Sequence, residues 1–191
     1  MQPQAPRQLV LLTVLTALCI GLQLSPRPPN VEFTSLIVFL VGAVFGISFG
    51  VSLAFLVMFV NGFLSPWGFA GFVLPFQVAG MVAVGIGGGL HGRASSGSHG
   101  ARLCVETAVL GAFLTLVYDM VTNLGVAASY ALTGMPLHLA LASTFISGAL
   151  FSVIHVVSNA AVFGVVFVPL SNALRRLSGG GENWKEESLL T

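Results

Sequence analysis

Apolar positions in this chain come in long unbroken runs rather than in one-sided stripes, so each run is expected to be apolar around its whole circumference, as in lipid-facing or deeply buried helices. Six runs are marked off by Pro, Gly, Ser and Arg, at approximately residues 8–24, 33–50, 51–64, 73–91, 103–133 and 139–170. A membrane-crossing helix needs roughly 20 apolar residues. The pattern therefore predicts an all-α integral membrane protein, a bundle of six transmembrane helices with both termini cytoplasmic. The second and third runs abut and are individually short. Two tilted helices are expected there, joined by a tight turn near Gly50 and Val51, with Gly46, Ser48 and Gly50 as a flexible junction. The fifth run exceeds one span, and Gly125 and Gly134 predict that its outer end bends into a loop or a short interfacial helix.

Composition agrees with the pattern. Of the 191 residues 55% are hydrophobic and 7% charged, with a mean hydropathy of +0.97, against about one quarter charged in soluble domains. The net charge of +1 says nothing about nucleic acid, but no basic cluster exists to hold a phosphate backbone, so no nucleic-acid partner is expected. The few basic residues orient the bundle: with six spans and an inner N-terminus, Arg7, Arg93, Arg102, Arg175, Arg176 and Lys185 fall on the cytoplasmic side and only Arg27 outside. Residues 1–177 form the membrane domain. Residues 178–191, opening with Ser178, Gly179, Gly180 and Gly181 and then carrying Glu182, Lys185, Glu186 and Glu187, read as a disordered cytoplasmic tail. Cys19 and Cys104 lie in or beside apolar runs and are expected to pack as small hydrophobes. Leu18 stands where a lipoprotein cleavage site needs a small residue, and no small-x-small site follows the first run, so that run is read as a retained helix.

Polar groups inside the runs are costly in lipid and mark either a ligand site or a helix contact. Asp119 and Asn123 lie four apart in the fifth run, as do His155 and Asn159 in the sixth, so each pair projects from one helical face. If the faces meet they form a polar cluster, with His155 as a partner for Asp119; the plain alternative is a hydrogen-bonded knot between helices. Enzyme signatures are missing: there is no H-E-x-x-H helix, no G-x-S-x-G elbow and no Cys-rich metal spacing. The run Gly85, Ile86, Gly87, Gly88, Gly89 lacks the Lys and Ser or Thr of a phosphate loop and reads as close helix packing at a cytoplasmic end. No catalytic residue, cofactor or metal site is assigned; a metal at His138 and Glu32 would require the fold to bring them together.

Outer loops carry the remaining candidates. Asn30, Glu32 and Phe33 follow Pro28 and Pro29, and Asn61, Gly62, Phe63, Pro66 and Trp67 close the third run. Aromatics beside amides suit a flat, partly polar small molecule, whereas the bland reading is helix capping by Asn30 and Glu32 and interfacial anchoring by Trp67. Gln77 follows Pro75 just inside the fourth run, placed to cap, to bridge helices or to face a cavity. Small residues recur every four positions at Gly42, Gly46 and Gly50 and at Thr13, Ala17 and Gly21, a spacing that lets helix backbones approach, within the bundle or against a partner protein.

The phrases Pro29-Asn30-Val31-Glu32-Phe33-Thr34, Asn61-Gly62-Phe63-Leu64-Ser65-Pro66, Leu74-Pro75-Phe76-Gln77 and Tyr118-Asp119-Met120-Val121-Thr122-Asn123, with the Asn159 helix, make the chain resemble the substrate-binding S components of energy-coupling factor transporters over roughly residues 8–175. The resemblance implies a multi-pass protein of a prokaryotic plasma membrane that captures a vitamin or cofactor precursor at the outer face. Its partners would be a transmembrane coupling subunit and two cytoplasmic ATPases. It assigns Asn30, Glu32, Phe33, Asn61, Trp67, Gln77, Tyr118, Asp119, Asn123, His155 and Asn159 to the substrate and Thr13, Ala17 and Gly21 to the coupling subunit, Thr13 replacing the Ala usual in the family. This subgroup is similar to S components suspected of handling cobalamin or its precursors. Two rival classes remain: a non-transport structural or assembly protein, which would bind no soluble ligand, and an intramembrane enzyme, which would need Asp119 or His155 for turnover.

Overall fold

The computed structural model describes residues 4–26, 28, 30–65, 68–95 and 100–177. They form helices α1 (Gln4–Leu24), α2 (Thr34–Phe45), α3 (Ile47–Leu64), α4 (Leu74–Ala94), α5 (Ala101–Leu132) and α6 (Leu137–Leu177), with a 3₁₀ turn at Gly71–Val73 before α4 and no strand among the described residues. Arg27, Lys185 and the tail from Ser178 lie outside the described residues.

Four segments are long and apolar enough to cross a membrane: α3, the turn with α4, α5 and α6. Their outward side chains fit that setting, because Val105, Val109 and Phe113 on α5 and Ile146, Leu150 and Val165 on α6 are all exposed large hydrophobics. So much contiguous apolar surface would be a liability in water. The other two apolar stretches are shorter, Leu9–Leu24 and Thr34–Phe45.

Helix α2 is the odd member. At 12 residues it measures about 18 Å, against a hydrocarbon core of about 30 Å. Eleven of its residues are buried, so it is apolar all round because protein, not lipid, surrounds it. Phe39 sits at its centre against Phe163 and Phe167 of α6, at ring-centroid distances of 5.2 and 5.6 Å. Cys19 of α1 is also fully buried in this core, while Cys104 is only partly so, and both are free thiols.

Two short helices rather than one broken helix occupy residues 34–64, and the reversal falls at Gly46, the first residue of the expected junction and four before the expected turn near Gly50 and Val51. A Cβ on Gly50 would lie 2.9 Å from the Cα of Gly42, whereas eight residues of continuous helix would separate them by about 12 Å. Gly46 makes the reversal with φ 100° and ψ 170°, a region open essentially to glycine alone. Nothing lies within 4 Å of a Cβ placed on it. Gly46→Ala is therefore expected to destabilise through backbone strain alone, by about 1–3 kcal/mol, read as a lowered thermal midpoint in detergent with an unchanged helical spectrum.

Glycines set the spacing of the inner helices. Cβ atoms on Gly42, Gly88 and Gly92 would stand within 2.4 Å of the carbonyl oxygens of Gly85, Phe39 and Ala43, and one on Gly85 within 2.7 Å of the Gly50 backbone. The run Gly85, Gly87, Gly88, Gly89 is thus a packing surface inside α4, as its lack of a phosphate-loop Lys led one to expect. The predicted bend at Gly125 does not occur. α5 stays helical through it to Leu132, and Gly125 accommodates the ring of Phe76, whose Cγ would be 2.6 Å from an added Cβ. The chain turns only at Gly134, with φ 99°. α6 is also longer than the 139–170 expected. Its 41 residues amount to about 61 Å and exceed the roughly 45 Å of a bilayer with its headgroups.

Candidate functional site

A cavity of about 990 Å³ lies at the end of the bundle where α1 and α3 finish and α2 and α4 begin. Helix ends at unequal depths create it. Ser35, in the first turn of α2, reaches Met81 of α4 (Oγ to Sδ, 3.9 Å), so α2 starts about 10 Å below the first turn of α4. α1 ends at the same depth, where Gln23 Nε2 donates to Thr34 Oγ1 at 2.8 Å. The space above these two ends is walled by α3, Ser65, Gly68, Phe69, Ala70 and Val73, α4, α5 and the first half of α6.

Glu32 closes the floor. Its carboxylate accepts from the Ser35 backbone N–H at 3.2 and 3.0 Å, capping α2. It also accepts from Asn159 Nδ2 at 3.2 Å and lies 3.5 Å from His155 Nε2. Asn159 Nδ2 donates in addition to Thr115 Oγ1 at 2.9 Å, and His155 Nδ1 donates to Asp119 Oδ1 at 2.8 Å. A continuous polar ladder, Thr115, Asn159, Glu32, His155, Asp119, thereby joins α5, α6 and the segment before α2. The faces that four-residue spacing put forward do meet. Four buried side-chain atoms of this region are left with no hydrogen-bond partner among the described residues: Asp119 Oδ2, Thr122 Oγ1, His155 Nε2 and Asn159 Oδ1.

Tyr118 stands above the ladder, its ring edge-on to that of His155 at 6.0 Å. Its place depends on Gly80, where a Cβ would come within 2.8 Å of Tyr118 Cδ2. Asn30 adopts φ 60°, tolerable for Asn. It is locked there because its Nδ2 donates to the Phe151 carbonyl at 2.9 Å and its own carbonyl accepts from Ser158 Oγ at 3.1 Å.

Of the residues put forward from sequence, Asn30, Glu32, Asn61, Gln77, Tyr118, Asp119, Asn123 and His155 line this one cavity. Asn159 does not: it is fully buried one turn below His155 and acts through Glu32. Phe33 is not in the lining either, and is 40% exposed at the start of α2. Trp67 lies outside the described residues. Thr13, Ala17 and Gly21 form an exposed strip on α1, with nothing within 4 Å of a Cβ on Gly21. His138 and Glu32 do not meet: His138 is 17 residues from His155 on α6, about 25 Å along the axis. No group of three His, Cys, Asp or Glu is arranged to hold a metal among the described residues.

Sequence reasoning missed Gln23, Met58, Thr122 and Ser152 in the wall and Thr115 in the ladder. A signal for Thr115 existed, since carrying the spacing of Asn123 and Asp119 back one more turn lands on it. None existed for Gln23, which enters only because α1 ends deep in the bundle. At the other end of the bundle Arg93, Arg102, Arg175 and Arg176 sit at the termini of α4, α5 and α6. There Ser95 donates to Glu106 Oε1 at 3.0 Å beside the buried His91. Searches against family models, curated proteins and solved structures returned no match to this chain.

Proposed function

We propose that this chain is the membrane-embedded substrate-binding component of an energy-coupling factor importer, capturing a vitamin or cofactor precursor. The observation that carries the reading is the 990 Å³ cavity, at the upper end of the roughly 300–1,000 Å³ of small-molecule sites. Its wall mixes the amides of Asn61, Gln77 and Asn123 with Tyr118 and Phe69. Short segments that leave a cup inside a helical bundle are a recurrent way to build a transporter site. In this reading all six helices count as passes of the plasma membrane, α2 as a buried half-length one. The arginine-bearing end is cytoplasmic by the positive-inside rule, and the cavity belongs to the outer half. The exposed strip Thr13, Ala17 and Gly21 is the docking face for a coupling subunit, and two ATPases on the cytoplasmic side supply the energy. Cobalamin or a relative is the first substrate to test. A ligand of that size would fill the cup and protrude from it, whereas a smaller flat vitamin would be enclosed.

A second reading, a structural or assembly protein without a ligand, draws support from the ladder, which ties α5 to α6 whether or not anything fills the cavity. Mass spectrometry decides between them, applied to small molecules released from detergent-purified protein of cells fed a vitamin mixture with cobalamin. The receptor reading expects one near-stoichiometric compound, lost at least tenfold in Asn123→Ala. It also expects Ala17→Leu to retain the compound while no longer co-purifying with a coupling subunit. Folded protein that carries no compound would favour the structural role.

A further inference from the structure

Among the described residues the cavity wall carries two carboxylic acids, Glu32 and Asp119, and one imidazole, His155, and neither Lys nor Arg. With both carboxylates ionised, a neutral His155 leaves the wall two negative charges and a protonated His155 leaves one. Either way the described residues of the wall carry a net negative charge. Glu32 is fully engaged, by the Ser35 N–H and by Asn159. Asp119 is only half engaged. Oδ1 holds His155, but Oδ2 is buried with no partner, on a residue 9% exposed. An unpartnered carboxylate oxygen is among the costliest groups to bury. Thr122, one turn further along α5, leaves a second unpartnered oxygen beside the same space.

We propose that the ligand of this cavity carries a cationic nitrogen, which Asp119 receives through Oδ2 beside the ring of Tyr118. This rests on the receptor reading and narrows its substrate class. An N–H on the charged nitrogen supplies the missing donor, and its charge offsets the surplus of the wall. The aromatic face of Tyr118 adds attraction for a cation, and the amides of Asn61, Gln77 and Asn123 are left to bind the polar edges of the attached ring.

The test uses full-length protein in detergent at neutral pH and two matched pairs of probes, benzylamine against benzyl alcohol and tryptamine against tryptophol, an ammonium replacing a hydroxyl in each. Equilibrium binding is measured by titration calorimetry. The expected result is that the cationic member of at least one pair binds tenfold or more tightly, and that Asp119→Asn, which keeps the shape, removes most of that preference. The comparison in unmodified protein stands even if the variant fails to fold. Equal or tighter binding of the neutral members, or a preference untouched by Asp119→Asn, overturns the cation assignment and leaves the receptor reading in place. A co-purified compound without a cationic nitrogen does the same. Failure of every probe together with the lack of any co-purified compound overturns both.

Discussion

Gly88→Leu is expected to prevent accumulation of folded, monodisperse protein, and Gly88→Ala to lower stability by the upper part of the 1–3 kcal/mol that overpacking typically costs, about 3 kcal/mol. An added Cβ would meet the Phe39 carbonyl oxygen at 2.1 Å and its carbon at 2.7 Å. Both are backbone atoms, so no rotamer change relieves the clash and α2 must move away from α4. That movement would unseat Phe39 from Phe163 and Phe167, since all three belong to one buried cluster. Gly21→Ala is the control, because nothing lies within 4 Å of its Cβ, and it is expected to change stability by less than about 0.5 kcal/mol. Heating in detergent with a thiol-reactive dye gives the measurement, since the fully buried Cys19 labels on unfolding. A Gly88→Ala protein as stable as the parent would show that α2 and α4 need not approach so closely.

Glu32→Ala is expected to cost about 3–5 kcal/mol, the range for removing one partner of a buried charged network. Two groups lose an acceptor at once, the Ser35 N–H that begins α2 and Asn159 Nδ2, and His155 Nε2 loses the carboxylate 3.5 Å away. Glu32→Gln keeps one oxygen for the cap and is expected to recover a large part of the loss. The same dye assay orders the three proteins. Were Glu32→Ala to match Glu32→Gln, the carboxylate would not be what holds the cavity floor. Ligand retention, scored alongside, is expected to fail in Glu32→Ala even below its melting temperature, because His155 and Asp119 lose the group that fixes their ladder from beneath.

Long apolar runs and a scarcity of charge were enough to foresee an all-helical chain with helices long and apolar enough to cross a membrane, because hydropathy and helical period belong to each segment on its own. For the same reason the pairs Asp119 with Asn123 and His155 with Asn159 announced two polar faces, and both faces lie where four-residue spacing put them. Which faces meet is a different kind of property. His155 finds Asp119 because α6 lies against α5, with Gly111 making room for Phe163, and no local pattern encodes that register. Depth was equally hidden. Residues 33–50 read as one run, yet Gly46 reverses the chain inside it, since a backbone conformation only glycine adopts leaves no mark on hydropathy. The cavity itself belongs to no segment. It arises because α1 ends and α2 begins deeper in the bundle than the ends of the helices around them, so it came into view only when those helices were placed side by side. That placement also turned Asn159 from a wall residue into a support beneath Glu32, and brought in Gln23 and Thr115.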